Sequence, residues 1–400
     1  MHVSPQQLAQ WLDATRKANA AGDHATAARW AEQATRAAPQ APQAWFHLAV
    51  ALQGLGKRGQ AVRAAKRAAA LAGDSAEAHA AVGALFVDLD ALDEADRCLG
   101  RALALDPHHP VATSDLGRLQ WRLGRLTDAE ASFRLAIARR PDLAPAHAGL
   151  CRVLNARGDH GAAEAAARRA IALDPLAADA WTGLGAALAA TARFEAAGPA
   201  CRRAVELDPR SAEAWRQLGA VLAAINRPEA AEAALQRTVG LAPGDAVAWH
   251  LLADVLVRQF RLAEAEVACR KAAALDRDSV APHTLLAWIH VQRWDYARAA
   301  AEHGRALGRR PHDLALLSLR LYSLNLQPAA EAADMLEAAR AYDQAAHRGV
   351  SGYTAWNCVP DPARRLRVGL VSGDLYRHPV GFFLQGPLRE LDETRVELYA

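Results

Sequence analysis

The sequence predicts a mainly α fold, an α-α solenoid wound as a right-handed superhelix, followed by the truncated start of an α/β domain. Three observations carry that prediction. A helix-stopping position recurs every 34 residues: Pro39, Pro107, Pro141, Pro175, Pro209, Pro243 and Pro311 share one grid, with Gly73 and Arg277 at its two other points. One position of every period is alanine. Near residue 366 the apolar spacing changes from helical to strand-like.

The grid defines nine units: 8–41, 42–75, 76–109, 110–143, 144–177, 178–211, 212–245, 246–279 and 280–313. Trp11, Trp45, Trp181, Trp215 and Trp249 hold the fourth position of five units; His79, Thr113, His147 and His283 hold it in the others. The eighth position is small in Ala49, Gly83, Gly117, Cys151, Gly185, Gly219, Ala253 and Ala287. The twentieth is Ala27, Ala61, Ala95, Ala129, Ala163, Ala197, Ala231, Ala265 and Ala299. Two helices approach to about 8–10 Å only where side chains at the crossing are short. Large neighbours such as Leu184, Leu188, Leu218 and Leu222 fill the remaining volume. Each second helix ends at Leu-Asp-Pro or a variant, because proline cannot continue the ladder. This pattern resembles tetratricopeptide (TPR) repeats, helical hairpins that bury their apolar faces only by stacking.

Composition narrows the function. The net charge is +3 with both signs interspersed, so no basic block tracks a phosphate backbone and nucleic-acid binding is not expected. No apolar run is long enough to span a bilayer, and the N-terminus lacks a signal-peptide core, so the chain is expected to be cytoplasmic and off the membrane. Cys98, Cys151, Cys201, Cys269 and Cys358 form no CxxC pair. Three of them fall on core positions, which predicts buried reduced thiols and no metal site. The groove-facing sixth position reads His47, Ala81, Asp115, Gly149, Gly183, Gln217, Leu251 and Leu285, with no repeated hydrogen-bonding side chain. His79, His147 and His283 stand where sister units have tryptophan, which predicts packed rings. His108-His109, at an inter-repeat turn, is expected to be solvated.

The alanine grid fails after Asp313. Residues 314–348 read as two degenerate capping helices broken near Pro328, and 349–365, rich in Gly and Pro, as a linker. Leu366–Ser372 reads as a buried strand, Gly381–Leu391 as a helix and Val396–Ala400 as a second strand. Strand, loop, helix, strand opens a βαβ unit with a parallel sheet. The loop after the first strand, Ser372 to Gly381, then lies at the ligand-binding edge. A helix N-terminus there suits a phosphate, and His378 could donate to an anion or a sugar hydroxyl.

The string LRVGLVSGDLYRHPVGFFLQGPLREL resembles the opening of the catalytic region of the O-GlcNAc transferase and SPINDLY-like glycosyltransferases, family 41. RLYSLNLQP resembles the same family's junction, so the resemblance is specific over about 321–400 and general over the repeats. It implies a TPR superhelix before two Rossmann-like GT-B halves. It also implies metal-free transfer of N-acetylglucosamine or a related sugar from a UDP-sugar to Ser or Thr of acceptor proteins, with no cofactor. It places His378 in the substrate pocket and Pro379 and Gly381 as loop-shaping residues, with Asp374 capping or bracing the loop. The asparagine ladder of the family's animal members is missing from the sixth position, and the sequence stops inside the second strand. Residues 366–400 are therefore expected to be an inactive start of a catalytic domain. The functional expectation is the N-terminal part of a protein O-glycosyltransferase whose repeats recruit acceptor proteins or peptides. The alternative is a non-catalytic scaffold for protein-protein interaction.

Overall fold

The computed structural model describes residues 4–328, 330–348, 366–369 and 396–399. The chain falls into two compact units, Met1–Tyr342 and Asp343–Ala400, divided inside the last helix. Each 34-residue period holds one hairpin. Repeats 1 to 3 are α1 (Pro5–Ala20) with α2 (His24–Ala37), α3 (Pro42–Gly54) with α4 (Arg58–Leu71), and α5 (Ala76–Asp88) with α6 (Leu92–Leu105). Repeats 4 to 6 are α7 (Pro110–Arg122) with α8 (Leu126–Arg139), α9 (Ala144–Arg157) with α10 (His160–Leu173), and α11 (Ala178–Ala190) with α12 (Phe194–Leu207). Repeats 7 to 9 are α13 (Ala212–Ala224) with α14 (Pro228–Leu241), α15 (Ala246–Arg258) with α16 (Leu262–Leu275), and α17 (Ala281–Gln292) with α18 (Tyr296–Leu307). After them come α19 (Leu314–Asn325) and α20 (Ala332–Ala346). Helices pack on those one or two places away in the chain, the quasi-one-dimensional contact pattern of a solenoid.

In the second unit β1 (Leu366–Gly369) pairs in parallel with β2 (Val396–Tyr399), Leu366 opposite Val396. Two four-residue strands do not make a Rossmann-like domain. The helix expected over 381–391, and the rest of the strand expected to run to Ser372, lie outside the described residues.

Local chemistry sets the turns. At the end of the second helices, Asp106, Asp174, Asp208 and Asp276 each accept the backbone N–H two residues on, at 2.9–3.1 Å. That side-chain turn closes the helix. It works in repeat 8, where Arg277 replaces proline, so aspartate alone suffices there. Inside each hairpin the fifteenth position is left-handed. Glycine takes it at Gly22, Gly56, Gly124 and Gly158, whereas Asp90, Ala192, Asn226, Phe260 and Trp294 take it with φ of 56–62°. Proline is not always a stop, since Pro199 lies within α12.

The twentieth-position alanines, Ala27 through Ala299, have no exposed surface at all. Beside them the eighth and twenty-fourth positions exchange volume: Ala49 with Ala65, Gly83 with Leu99, Gly117 with Phe133, Cys151 with Ala167, Gly185 with Cys201, Gly219 with Leu235. A Cβ on Gly83 would stand 2.7 Å from Leu99 Cδ2, and one on Gly219 2.6 Å from Leu235 Cγ. Both are far inside van der Waals contact, so each large side chain dictates glycine opposite it. Neighbouring repeats are tied by ion pairs from Arg157 to Glu130, Arg193 to Glu164, Arg261 to Glu232 and Arg293 to Glu266. Each glutamate sits at the twenty-first position with little exposure, so the pairs help set the stacking register.

The fourth-position rings share one bond. Nε1 of Trp45, Trp181, Trp215 and Trp249 donates to the carbonyl of Pro39, Pro175, Pro209 and Pro243 at 2.9–3.0 Å. His79 and His147 make the same contact through Nε2 to Gly73 and Pro141, at 2.9 Å. A ring N–H at that height, more than an indole, is what the site requires. His283 departs: it is buried and pairs through Nδ1 with Glu302 at 2.7 Å. His109, expected in solvent, is buried. Its Nδ1 accepts Ala112 N–H at 3.1 Å and caps α7, which places the ring proton on Nε2, 2.9 Å from Glu77 Oε2. His108 is exposed as expected.

Two predictions follow from this packing. Gly219→Ala should cost about 1–3 kcal/mol by overpacking and Leu235→Ala about 2–5 by cavity formation. The double variant recreates the Ala49–Ala65 pairing and should cost less than the sum, as a double-mutant cycle from denaturant melts will read. The second concerns His303, buried at the twenty-fourth position of repeat 9, 3.3 Å from Ser323 on α19. Burial pushes its imidazole down from 6.5 to about 4, against a smaller opposing pull from Glu302. The unfolded chain then binds the proton more readily, so stability present above pH 6.5 drains away as pH falls towards about 4. His303→Ala should flatten that part of the stability–pH curve, measured as melts from pH 7.5 to 4.

Candidate functional site

A groove crosses the first helices of repeats 3 to 7. Its larger part, about 440 Å³, is lined by Asp88 of α5, Arg118, Trp121 and Arg122 of α7, and Ala148, Gly149 and Arg152 of α9, closing at Asp179 of α11. It continues as a cleft of about 190 Å³ along Asn155, Thr182, Gly183 and Ala186 to Glu213 and Gln217 of α13. Trp121, Arg152 and Asp179 line both parts and join them.

The polar side chains form a clasp spanning repeats. Arg118 is held between Asp88 of the preceding repeat and Asp115 of its own helix, the latter at 3.0 Å. Arg122 reaches Asp90 at 2.6 Å. Arg152 lies 4.6 Å over the Trp121 ring and bonds Asp179 in the next repeat at 2.7 Å. Asn155 Nδ2 donates to Gly183 O at 2.9 Å, tying α9 to α11. Asp115 is the buried member: removal from water raises its carboxyl to about 6, Arg118 pulling against that and Asp88 adding to it. The arginines are oriented by their carboxylate partners before any ligand arrives.

The sixth-position residues behave differently from a row of ligand contacts. Gly149 and Gly183 are small because Phe133 and Cys151 project beneath them, a Cβ on Gly183 falling 2.6 Å from the Cys151 sulfur and one on Gly149 2.3 Å from the Phe133 ring carbons. Leu251 and Leu285 pack, partly buried, on the core around Leu252, Leu256 and Leu286. His47 is partly buried, and burial, with Arg16 nearby, holds its imidazole below the usual range. The groove's polar set comes from the second, ninth, twelfth and thirteenth positions, joined from the sixth by Gln217 in the lining and Asp115 beside Arg118. Its sequence signal was available: arginine at the ninth position of consecutive repeats, Arg118 and Arg152, and acids at the second, Asp179 and Glu213.

Cys98, Cys151, Cys201 and Cys269 are free and buried, and burial pushes the last three thiols up to about 12. They are packing groups without reactivity. Among the described residues no three His, Cys, Asp or Glu side chains group as metal ligands, and no helix is long and apolar enough to cross a membrane. His378, Asp374, Pro379, Gly381 and Cys358 lie outside the described residues.

Comparison with known proteins agrees with the hairpin geometry. Tetratricopeptide repeat models match residues 83–144, 152–212, 190–255 and 246–279, so the chain carries TPR repeats. It is similar to the probable UDP-N-acetylglucosamine–peptide N-acetylglucosaminyltransferase SPINDLY of Arabidopsis thaliana, 35% identical over 46 residues. That match spans 12% of this chain and only 5% of the plant protein's length. Among solved structures, the APC/C hetero-tetramer Cut9-Hcn1 shares the fold, with a TM-score of 0.52 at 12% identity, covering 78% of this chain and 95% of that one. PilF of Pseudomonas aeruginosa aligns at 21% identity and a TM-score of 0.46, over 53% of this chain and 97% of its own. YrrB, described as a TPR protein with an unusual peptide-binding site, aligns at 20% identity and 0.36, over 49% and 97%.

Proposed function

We propose that this chain is a protein-interaction scaffold whose groove over repeats 3 to 7 holds an extended segment of a partner protein. The observation that carries the reading is the clasp of Arg118, Arg152, Trp121 and Asp179 over a floor of Ala148, Gly149, Gly183 and Ala186. Small residues let a backbone approach the helices, and pre-oriented arginine and amide groups can meet its carbonyls. Its lining is small apolar residues with arginine, carboxylate and amide groups already bonded to one another, a surface suited to binding. Affinity capture with the wild-type chain and with Arg152→Ala/Asp179→Ala tests this. The variant should retain its helical circular dichroism and lose partner recovery by about tenfold or more; recovery equal to wild type would remove the groove from recognition.

A second reading is supported by the short SPINDLY similarity together with the string at 366–391. In it the repeats recruit acceptor proteins for a UDP-sugar-dependent protein O-glycosyltransferase, and His378 lines the substrate pocket beside Pro379 and Gly381, with Asp374 capping or bracing the loop. The chain spans about 5% of that relative's length, so the transfer itself, needing no metal or other cofactor, belongs to this proposal. The intact mass of the native protein, set against 42.8 kDa, shows whether more catalytic sequence accompanies these residues. Isothermal titration of the native protein with UDP-N-acetylglucosamine should show binding that His378→Ala weakens about tenfold without unfolding it. Undiminished affinity in that variant takes His378 out of the pocket.

A further inference from the structure

One link of the clasp has three members: the Arg118 guanidinium is shared by two carboxylates, Asp88 of α5 and Asp115 one turn back on α7. The two acids stand in unlike surroundings. Asp88 is half-exposed at the groove wall, whereas Asp115 is buried and accepts Arg118 Nη1 at 3.0 Å. Two anions around one cation leave an excess negative charge, and the buried member holds it least readily. Removal from water accordingly raises the Asp115 carboxyl to about 6, with Arg118 opposing the rise and Asp88 adding to it. The same position is Ala81 in repeat 3 and Gly149 and Gly183 in repeats 5 and 6, so the hairpin forms without an acid there.

The other groups around α7 already have partners. His109 at its N-cap, which slightly favours the ionised Asp115, bonds Glu77 of α5 and the Ala112 amide. α6 meets α7 through Leu99, Ala102 and Leu103. From α8, Arg139 bonds Thr113 Oγ1 and Ser132 bonds Gln120, both at 2.7 Å. From α9, Arg152 is taken by Trp121 and Asp179, and Arg122 of α7 itself by Asp90. A proton arriving at Asp115 is therefore felt first by Arg118.

We propose that Asp115 is a proton-operated latch on the groove: once protonated it gives up Arg118 Nη1, and the guanidinium turns to a carboxylate on the bound segment. On the scaffold reading, from which this follows, the partner segment carries an Asp or Glu side chain beside Arg118. With Asp115 ionised, that carboxylate meets a triplet of net charge −1. With Asp115 neutral it meets a balanced Arg118–Asp88 pair with a guanidinium edge to spare. Binding therefore tightens as pH falls through 6.

Sulfate, which keeps its charge from pH 7.5 to 5, is the probe. Its binding is read from the Arg118 Nε–Hε resonance, identified by its loss in Arg118→Gln. A carboxyl titrating near 6 is about 3% protonated at pH 7.5 and about 90% at pH 5, so wild-type affinity should rise by up to about thirtyfold. Asp115→Asn, and Asp115→Ala in imitation of Ala81, should bind at the acid level throughout, and any rise they share with wild type belongs to other groups. Wild-type affinity unchanged with pH, variants that keep the full wild-type dependence, or an Asp115 carboxyl resonance with its midpoint near 4 would each overturn the latch. Sulfate needs no partner, so the latch and the groove reading, which Arg152→Ala/Asp179→Ala tests, fall separately.

Discussion

The structure depends on one close approach: the crossing of the two helices in each hairpin, where a large twenty-fourth side chain leaves room only for glycine at the eighth position. The twentieth-position alanine sets the distance, and the pair divides what is left. Phe133 is the extreme case, requiring glycine at Gly117 in its own repeat and at Gly149 in the next. The allotment varies, from Gly185 with Cys201 to Gly117 with Phe133, while the fully buried twentieth-position alanine recurs in all of these hairpins. Their first helices then align as the wall of a groove. A misfit at a single crossing alters the angle at which everything beyond it is presented, so packing in one repeat bears on recognition several repeats away.

Much of this was legible in the sequence because it is local and periodic. The proline grid and the alanines at Ala61 or Ala231 lie at fixed spacing, and short-range sterics allow few substitutes for them. The volume exchange was equally present in the letters, but a column read alone hides it: Gly219 makes sense only beside Leu235. His109 was misjudged for a related reason. Its turn position argued for solvent, while its partners, Glu77 and the Ala112 amide, become visible only once two repeats are stacked.

The groove was the least legible part. Its contacts join residues 27 to 32 apart, as in Arg152 with Asp179 and Arg122 with Asp90, distances at which a single sequence gives no local signal. The sixth position, read as carrying no repeated hydrogen-bonding side chain, lines the groove with Gly149, Gly183 and Gln217, the two glycines being set by packing beneath them. For the loop 372–381, where the sequence argument placed a substrate pocket, the resemblance of the string at 366–391 is the support, and the geometry of the repeats adds nothing to it.

On the proposed scaffold reading, the clasp also constrains what the groove would recognise. Exposed ion pairs contribute at most about 1 kcal/mol each, so exchanging one such pair for a ligand contact changes little. Arg152 differs, because stacking on Trp121 and bonding Asp179 have already removed most of its rotational freedom. A ligand carbonyl meeting it loses little further entropy, whereas a ligand carboxylate must compete with Asp179 for the same donors. Arg118, held between Asp88 and the buried Asp115, is less available still. On that reading, selection by this groove would rest on shape and backbone hydrogen bonding more than on net charge. That suits a surface which reads extended chain over several repeats, with each repeat adding a small, similar increment.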